Sequence, residues 1–428
     1  MVSTNIASTA STIMVGQVAI KLMTFTLNQF LFQYASATSI GLTQFIKFIL
    51  GYTIFLCREP VRLSVPKICG SFSVKSVQQR RQLIANFSII IAFALFAFVG
   101  LPIMAAQLMK DSDLTDSVLR PIFLTVLIIL AAIIELVSEP YYDINQYLDL
   151  NFSRRTKIES IATFGRCAIQ LASTMLISKY QKGVSFADSN FVYGFAFSQL
   201  GYAIIVSSCY LAKEQALVPR KVANRYFESS AFGYFRSIFF QQIAKYFLSE
   251  GDKILVNYLL PVNIQGYYSL ITDYGSLLAR LLFMPIEEAV RISMTATFES
   301  HDVSASKRKE ILNITVSSIS RLYVYILTLL ILFAPSSTSY IVQMLFKRFG
   351  SDETFIWCFK LYWCYVPFLA VNGIAEALFN SVFHSSKDAD VYSKMMILNS
   401  IFFFVSTYIC VHILSLIHIS EPTRLQLI

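Results

Sequence analysis

Residues 272–293 read TDYGSLLARLLFMPIEEAVRIS, a stretch that is apolar enough to lie in a membrane and yet contains five charged side chains. In a helix, Asp273, Arg280 and Glu287 recur every seven residues and share one face. Glu287 and Arg291 form a further pair of opposite charge, one turn apart. Because a single charge at the centre of a bilayer costs roughly 2.5–3.5 kcal/mol, we expect this face to point into protein or a water-filled cavity.

An earlier part of the chain repeats this pattern. Residues 41–64 read GLTQFIKFILGYTIFLCREPVRLS, in which EPVRLS at 59–64 matches EAVRIS at 288–293 in four of six positions. In both copies a glycine opens an aromatic-rich helix. Membrane transporters are often built from two such related halves around a central binding site. The repeat therefore predicts two related halves in this chain.

The composition is that of a membrane protein. Of 428 residues, 55% are hydrophobic and only 14% are charged, and the mean hydropathy is +0.58, whereas a soluble domain carries about 25% charged residues. We therefore predict an all-α polytopic membrane protein. The net charge of +9 belongs to loops at a membrane surface rather than to a nucleic-acid site. The seven cysteines show neither a CxxC motif nor metal-ligand spacing.

The apolar runs predict about eleven transmembrane helices. Their approximate ranges are 13–32, 40–56, 83–105, 122–137, 158–178, 191–212, 238–260, 272–293, 312–333, 355–379 and 392–413. A polar region at 213–236, interpreted as a cytoplasmic linker, separates an N-terminal six-helix bundle at 1–212 from a C-terminal bundle at 237–413. Lysine and arginine concentrate after the even-numbered helices, which places the N-terminus in the cytoplasm.

Two polar segments carry local predictions. Residues 141–157, YYDINQYLDLNFSRRTK, are amphipathic, and we expect them to lie along the membrane interface. SEGDK at 249–253 is expected to interrupt the helix at 238–260. Broken helices often mark transport sites, because their freed backbone groups must face a cavity.

The end of the chain has an unusual sequence. LSLIHISEPTR at 414–424 resembles the in-frame translation of a common transposase sequencing adapter. We therefore expect 414–428 to be an artefact tail, and we expect further helices of the natural protein to be missing after it.

Several motifs resemble those of the eukaryotic endoplasmic-reticulum oligosaccharide translocation protein family, within the multidrug/oligosaccharidyl-lipid/polysaccharide exporter superfamily. The most specific are ELVSEPYYDINQ at 135–146 and YGSLLARLLFMPIEE at 274–288. RRTKIESIA at 154–162, EGDK at 250–253 and YVPFLAVNGIAEALF at 365–379 also match. The resemblance extends over nearly all of the chain up to residue 413.

This resemblance implies fourteen helices in two pseudo-symmetric bundles around a central cavity, with the second bundle incomplete here. It implies a role in protein N-glycosylation: passage of a dolichol-pyrophosphate-linked, mannose-rich oligosaccharide to the lumenal leaflet of the endoplasmic reticulum membrane, by alternating access. No enzymatic activity and no cofactor are expected. The chain contains no GxxxxGK[ST] motif, which disfavours direct drive by ATP. Membrane lipid and the lipid-linked oligosaccharide are the expected partners, without nucleic acid, and the oligomeric state stays open.

Two alternative functions remain open at the sequence level. The first is a scaffold that assists N-glycosylation without moving lipid. The second is a cation-coupled small-molecule exporter of the same superfamily, which needs a carboxylate deep in the first bundle. The sequence places none there.

A pyrophosphate-linked glycan needs cations for its phosphates, and arginine binds phosphate oxygens with two parallel hydrogen bonds. The hypothesis is that substrate phosphates contact five cationic residues, Lys21, Arg58, Arg62, Arg280 and Arg291. The alternative is that the two arginines after the second helix are loop charges that set topology. For the two arginines of the 272–293 stretch, the alternative is that they only pair with Glu287 and Glu288.

The remaining charged residues are interpreted as structural or gating ion pairs. They are Glu135, Glu139, Glu159, Arg166, Asp252, Lys253, Glu287 and Glu288. The first four form a predicted clamp between the helices at 122–137 and 158–178. Paired carboxylates can act in acid–base catalysis, but the sequence supplies no nucleophile and no metal site beside them.

Overall fold

The computed structural model describes residues 24–32, 35–69, 76–110, 119–149, 151–180, 187–212, 217–222, 225–227, 229–278, 305–346 and 348–382, with isolated positions in 282–294 and 395–409. These residues are almost entirely helical, and a single isolated β-bridge joins Val222 to Arg225. The chain divides into two units, Met1–Lys253 and Ile254–Ile428. Each unit has its own hydrophobic core.

The helices are α1 (Ala37–Cys69), α2 (Val77–Leu95), α3 (Leu101–Lys110), α4 (Leu119–Val137), α5 (Glu139–Asp143), α6 (Phe152–Tyr180), α7 (Ala187–Leu211), α8 (Ser229–Leu259), α9 (Val262–Leu278), α10 (Ala305–Leu345) and α11 (Glu353–Val382). Within the described residues, seven stretches are long and apolar enough to cross a membrane. The predicted all-α polytopic fold is therefore confirmed. The number of eleven transmembrane helices and the linker at 213–236 stay predictions.

Helix α1 is longer than its sequence suggests. The predicted helix ends at residue 56, before CREPVRLS, but α1 continues through Pro60 and Pro66 to Cys69. Proline lacks the N–H that a helix needs, and membrane helices tolerate it when side chains take over the freed backbone groups. Within this continuation, Ser64 Oγ donates a 2.8 Å hydrogen bond to the carbonyl of Pro60. The interpretation of Arg58 and Arg62 as loop charges is therefore wrong.

The segment after α4 is buried. Helix α4 ends in a turn at Ser138, and α5 and a π-helical turn at Ile144–Leu148 continue almost directly from it. Every residue of α5 is buried. The expectation that residues 141–157 lie along the membrane interface is therefore wrong for their first half, because Tyr141 and Tyr142 pack against Ile158 and Tyr210 in the core of the first unit.

Helices α6 and α7 approach each other closely in the first unit. A side-chain carbon at Gly194 of α7 would overlap Thr174 Oγ1 of α6, and one at Gly165 of α6 would lie 2.5 Å from Ile205 of α7. Small residues at such positions are typical of helix pairs in membranes, where close van der Waals packing drives association.

Asn86 attaches the segment at 217–226 to α2. Its Nδ2 donates hydrogen bonds of 2.6 and 3.2 Å to the carbonyls of Arg220 and Tyr226, and its Oδ1 accepts one of 3.0 Å from the Arg220 backbone N–H. The side chain is fully buried. Within the described residues, this part of the predicted linker is thus bound to the first unit.

Helix α8 runs without a break through residues 249–253. The predicted interruption at SEGDK is therefore wrong. Two of the charged residues in this segment form an ion pair, since Lys253 Nζ lies 2.5 Å from Glu250 Oε2 one turn away. An i,i+3 pair of opposite charge supports a helix rather than ending it.

In the second unit, α11 packs against α9 and α10. Phe283, Tyr323, Val366 and Ala370 form its buried core. Trp363 Nε1 of α11 donates a 3.0 Å hydrogen bond to Thr338 Oγ1 of α10, so the two long helices are joined by a polar contact as well as by packing.

Candidate functional site

The cluster of charged residues in the first unit is built from α1, α4 and α5. Arg58 and Arg62 lie one turn apart on α1, and they therefore project from one face. Glu135 near the end of α4 and Glu139 at the start of α5 are also four residues apart. The Glu135 carboxylate contacts Arg58, and the Glu139 carboxylate contacts both arginines.

The ion pairs form a connected chain. Arg58 Nη1 lies 2.5 Å from Glu135 Oε1, and Arg58 Nε lies 2.8 Å from Glu139 Oε2. Arg62 holds Glu139 with two hydrogen bonds, one from Nε to Oε1 and one of 3.0 Å from Nη2 to Oε2. The Glu139 carboxylate is thus shared by two guanidinium groups.

Burial makes these contacts energetically important. The Glu139 side chain is fully buried, and the side chains of Glu135, Arg62 and Arg58 are 7%, 14% and 18% exposed. Two positive and two negative charges balance within these four residues. Removing one partner of a buried ion pair costs about 3–5 kcal/mol, because the other charge is left uncompensated.

Aromatic and polar residues surround the cluster. The Arg62 guanidinium carbon lies 3.5 Å from the centroid of the Tyr142 ring, and that of Arg155 lies 4.7 Å from the same ring. Arg155 pairs with Glu159 on α6 at 3.2 Å. Gln199 Nε2 lies 3.5 Å from Glu135 Oε2.

A further carboxylate lies one turn after Glu139. Asp143 is fully buried, and Ser88 Oγ donates a 2.5 Å hydrogen bond to its Oδ2. The expectation that the first bundle holds no deeply placed carboxylate is therefore wrong. Sequence reasoning missed it because the predicted helix ended at residue 137 and left Asp143 at the membrane interface.

The predicted clamp residues separate into three contacts. Glu135 and Glu139 meet the arginines of α1, whereas Glu159 meets Arg155 of its own helix. The Arg166 guanidinium lies 5.6 Å from the centroid of the Tyr202 ring on α7. The described contacts thus pair two of the predicted carboxylates with two of the predicted phosphate-binding residues.

In the second unit, the Glu287 carboxylate lies against Gly373 of α11, where any side-chain carbon would overlap it. Asp273 is exposed on α9. Asp252 and Lys253 lie on α8, one turn or less from Glu250. Lys21, Arg280, Glu288 and Arg291 lie outside the described residues, so their assignments stay predictions.

One contributor, Tyr142, was not predicted as a site residue from the sequence, although it lies in the matched motif ELVSEPYYDINQ. Its ring meets the Arg62 guanidinium because α5 packs against α1, and a single sequence does not specify that packing.

The described cluster is suited to binding an anion. The Arg62 guanidinium already holds one carboxylate with two parallel hydrogen bonds, the geometry that arginine also offers to phosphate, and Arg58 forms an ion pair with the same carboxylate. Among the residues that the structure describes, no group of three or more metal-ligating side chains converges on one point.

Comparison with known proteins places this chain in a family. Residues 5–419 match the family model described as Rft-1, Rft protein. A protein of Candida albicans named Man(5)GlcNAc(2)-PP-dolichol translocation protein RFT1 is 31% identical over 438 residues, covering 95% of this chain and 76% of the relative. The protein of the same name from Saccharomyces cerevisiae is 30% identical and covers 87% of this chain and 72% of the relative.

A solved structure supports the architecture. It is an inward-facing multidrug resistance MATE family transporter of the MOP superfamily, with a TM-score of 0.56 and 12% identity. The likeness covers 90% of this chain and 87% of the transporter, and at this identity it bears on the fold alone. The predicted family resemblance is confirmed, and the chain belongs to the Rft protein family.

Proposed function

We propose that this chain carries a dolichol-pyrophosphate-linked, mannose-rich oligosaccharide from the cytosolic to the lumenal leaflet of the endoplasmic reticulum membrane for protein N-glycosylation. The names of the relatives, which are translocation proteins for Man(5)GlcNAc(2)-PP-dolichol, support this function. The proposal includes no enzymatic step and no cofactor, and it keeps the N-terminus in the cytoplasm.

The observation that carries the proposal is the shared carboxylate of Glu139. Two arginines from one helix face hold it inside a membrane-embedded unit. A pyrophosphate offers the same arrangement of anionic oxygens with more negative charge. We infer that the phosphates of the lipid exchange with the carboxylates of Glu135 and Glu139 for contact with Arg58 and Arg62.

This exchange explains why the arginines form ion pairs with carboxylates when no substrate is bound. An uncompensated guanidinium in a membrane interior is costly, so the carboxylates keep the site charged without destabilising the protein. When the phosphates leave, the carboxylates return to the arginines, and this return favours release. Binding affinity is therefore the difference between two similar sets of ion pairs.

Removing the positive charge at Arg62 or Lys21 tests the proposal. With Arg62→Gln, Glu139 keeps Arg58 as a partner but loses its bidentate one, so the variants are compared with wild type at matched protein level. We expect loss of complementation in a strain that lacks this activity, read as underglycosylation of a secreted glycoprotein. Full complementation by both Arg62→Gln and Lys21→Gln would contradict the assignment of phosphate contacts.

A reconstituted system distinguishes transport from support of the pathway. Purified protein in vesicles is expected to transfer a lipid-linked chitobiose pyrophosphate between leaflets faster than protein-free vesicles. Absence of transfer, together with full rescue of glycosylation in cells, would favour a scaffold and contradict direct carriage.

A further inference from the structure

Asp143 is a buried carboxylate that takes no part in the ion pairs of the candidate site. It is the last residue of α5, one turn after Glu139, and its side chain has no exposed surface. Ser88 Oγ of α2, which is equally buried, donates a hydrogen bond to Oδ2, whereas Oδ1 has no hydrogen-bond partner among the described residues. Nearly all buried polar atoms in proteins have a partner, so this oxygen requires an explanation.

The charges that surround Asp143 do not compensate an ionised carboxylate. Arg58 and Arg62 of α1 act on it electrostatically, but the two glutamates of the candidate site already balance both guanidinium groups. An ionised Asp143 would therefore be a third negative charge beside two positive ones. Within the described part of the chain, the charged and titratable groups on the elements around it are Arg58 and Arg62 from α1, Glu135 from α4, Glu139 from its own helix and Tyr147 from the π-helical turn.

A carboxyl group that carries a proton fits this position better than an ionised one. Asp143 lies in the stretch at 122–148, which is long and apolar enough to cross a membrane. An unpaired charge is costly there, whereas the protonated group is neutral and can both donate and accept a hydrogen bond. A π-helical turn, Ile144–Leu148, begins directly after Asp143, and such turns are frequent at functional sites.

We propose that Asp143 is a proton-binding site, and that its proton and the pyrophosphate of the lipid bind cooperatively. The proposal rests on the proposed function and adds a form of regulation to the same site. When the site opens, the O–H bond of the carboxyl group breaks, the proton passes to water and the electron pair stays on the carboxylate.

The ionised carboxylate then acts on the arginine that holds the phosphates. Asp143 and Glu139 lie one turn apart on α5, and both act on Arg62. An ionised Asp143 therefore competes with the phosphates for Arg62 and repels them, so loss of the proton favours release of the lipid. Because linkage is reciprocal, bound pyrophosphate in turn favours the protonated carboxyl group.

Infrared spectroscopy of the purified full-length chain detects the proton without any substrate. A protonated carboxyl group has a C=O stretching band that a carboxylate lacks. We expect this band in the wild-type spectrum, its loss as the pH is raised, and its absence from the spectrum of Asp143→Asn. The amide of asparagine has nearly the same shape and can still accept the hydrogen bond from Ser88, so this variant is expected to fold.

Two further variants assign the band. Ser88→Ala should shift it to higher frequency, because the carbonyl loses its hydrogen-bond donor. Asp149→Asn is the matched control, since Asp149 is an exposed carboxylate of the same segment, 4.0 Å from Arg81. It should leave the band unchanged.

Calorimetry with farnesyl pyrophosphoryl chitobiose tests the link to the substrate. Each phosphate of this probe carries one negative charge over the whole pH range of the titration, so its own charge does not change. We expect the wild-type dissociation constant to rise by about five- to a hundredfold over the pH range in which the infrared band disappears. Asp143→Asn should bind the probe with the same dissociation constant throughout that range.

The outcomes separate the proton site from the proposed function. Absence of a band that depends on Asp143, or a band that persists at every pH at which the protein stays folded, contradicts the proton site alone. Equal pH dependence of probe binding in wild type and Asp143→Asn contradicts the cooperativity. Failure of wild type to bind the probe at any pH contradicts the proposed function, and the cooperativity with it, whatever the infrared spectrum shows.

Discussion

Glu139 shows how one carboxylate can determine the state of two arginines. It accepts hydrogen bonds from Arg62 and contacts Arg58, and its side chain has no exposed surface. Guanidinium groups stay charged in proteins, so neither arginine can relieve a missing partner by losing its proton. The residue is therefore expected to stabilise the protein as long as both arginines are present, and in the proposed function a phosphate takes its place beside them.

Glu139→Ala is expected to lower the free energy of unfolding by about 3–5 kcal/mol, because it leaves Arg62 without its bidentate partner and Arg58 with Glu135 alone. Denaturant titration of the detergent-purified protein measures this. Glu159→Ala is the control, since its pair with Arg155 is partly exposed and one turn apart; it should cost about 0.3–0.5 kcal/mol. Equal effects of the two substitutions would refute the central position of Glu139.

At the scale of single elements, α1 shows which features the sequence predicts and which it does not. Its apolar core from residue 40 to 56 was identified from composition. Its continuation to Cys69 is not predicted by the sequence, because this part contains Pro60, Pro66 and two arginines, which are the usual signals of a helix end. The continuation buries Val61, Val65 and Ile68 in the core of the first unit, and such packing is a tertiary property.

The ion pairs of the candidate site are likewise not predictable from the local sequence. The arginines and glutamates were each singled out as charges inside or beside apolar runs, where polar groups are costly. Their mutual contact joins residues 77 positions apart. Nothing in the local pattern of either segment specifies that distance in the sequence, so Glu135 and Glu139 were assigned to a clamp with α6 instead.

Close packing of α6 on α7 gives a prediction at this scale. Gly194→Val is expected to lower the free energy of unfolding by about 1–3 kcal/mol, because the added carbons must displace Thr174. Gly233→Val adds the same atoms at a helix position where they meet nothing within 4 Å. It should change the free energy of unfolding by less than about 0.5 kcal/mol. Thermal unfolding in detergent provides the comparison; a Gly194→Val protein as stable as the control would contradict the close approach.

At the scale of the whole molecule, composition and motifs predicted the membrane class, the helical fold and the family. These properties depend on sums over many residues and on specific sequence matches, so small errors in helix ends do not affect them. Helix continuity was less predictable, since α8 continues through the charged residues at 249–253. Charge alone did not distinguish a break in a helix from a helix with paired side chains.

The central claim is that the buried ion pairs form the pyrophosphate site and not merely a structural clamp. Arg62→Met combined with Glu139→Met tests it, because replacing a buried ion pair by apolar residues of similar volume is often neutral or stabilising. Arg58 keeps Glu135 at 2.5 Å in this double variant. Arg155→Met with Glu159→Met, at the exposed pair, is the matched control.

The decisive measurement is rescue of N-glycosylation in a deficient strain, with protein level and thermal stability matched between the two double variants. We predict that the Arg62→Met, Glu139→Met protein folds normally and fails to rescue, whereas the control rescues fully. Full rescue by the Arg62→Met, Glu139→Met protein would show that the cluster only holds α1, α4 and α5 together, and would contradict the account.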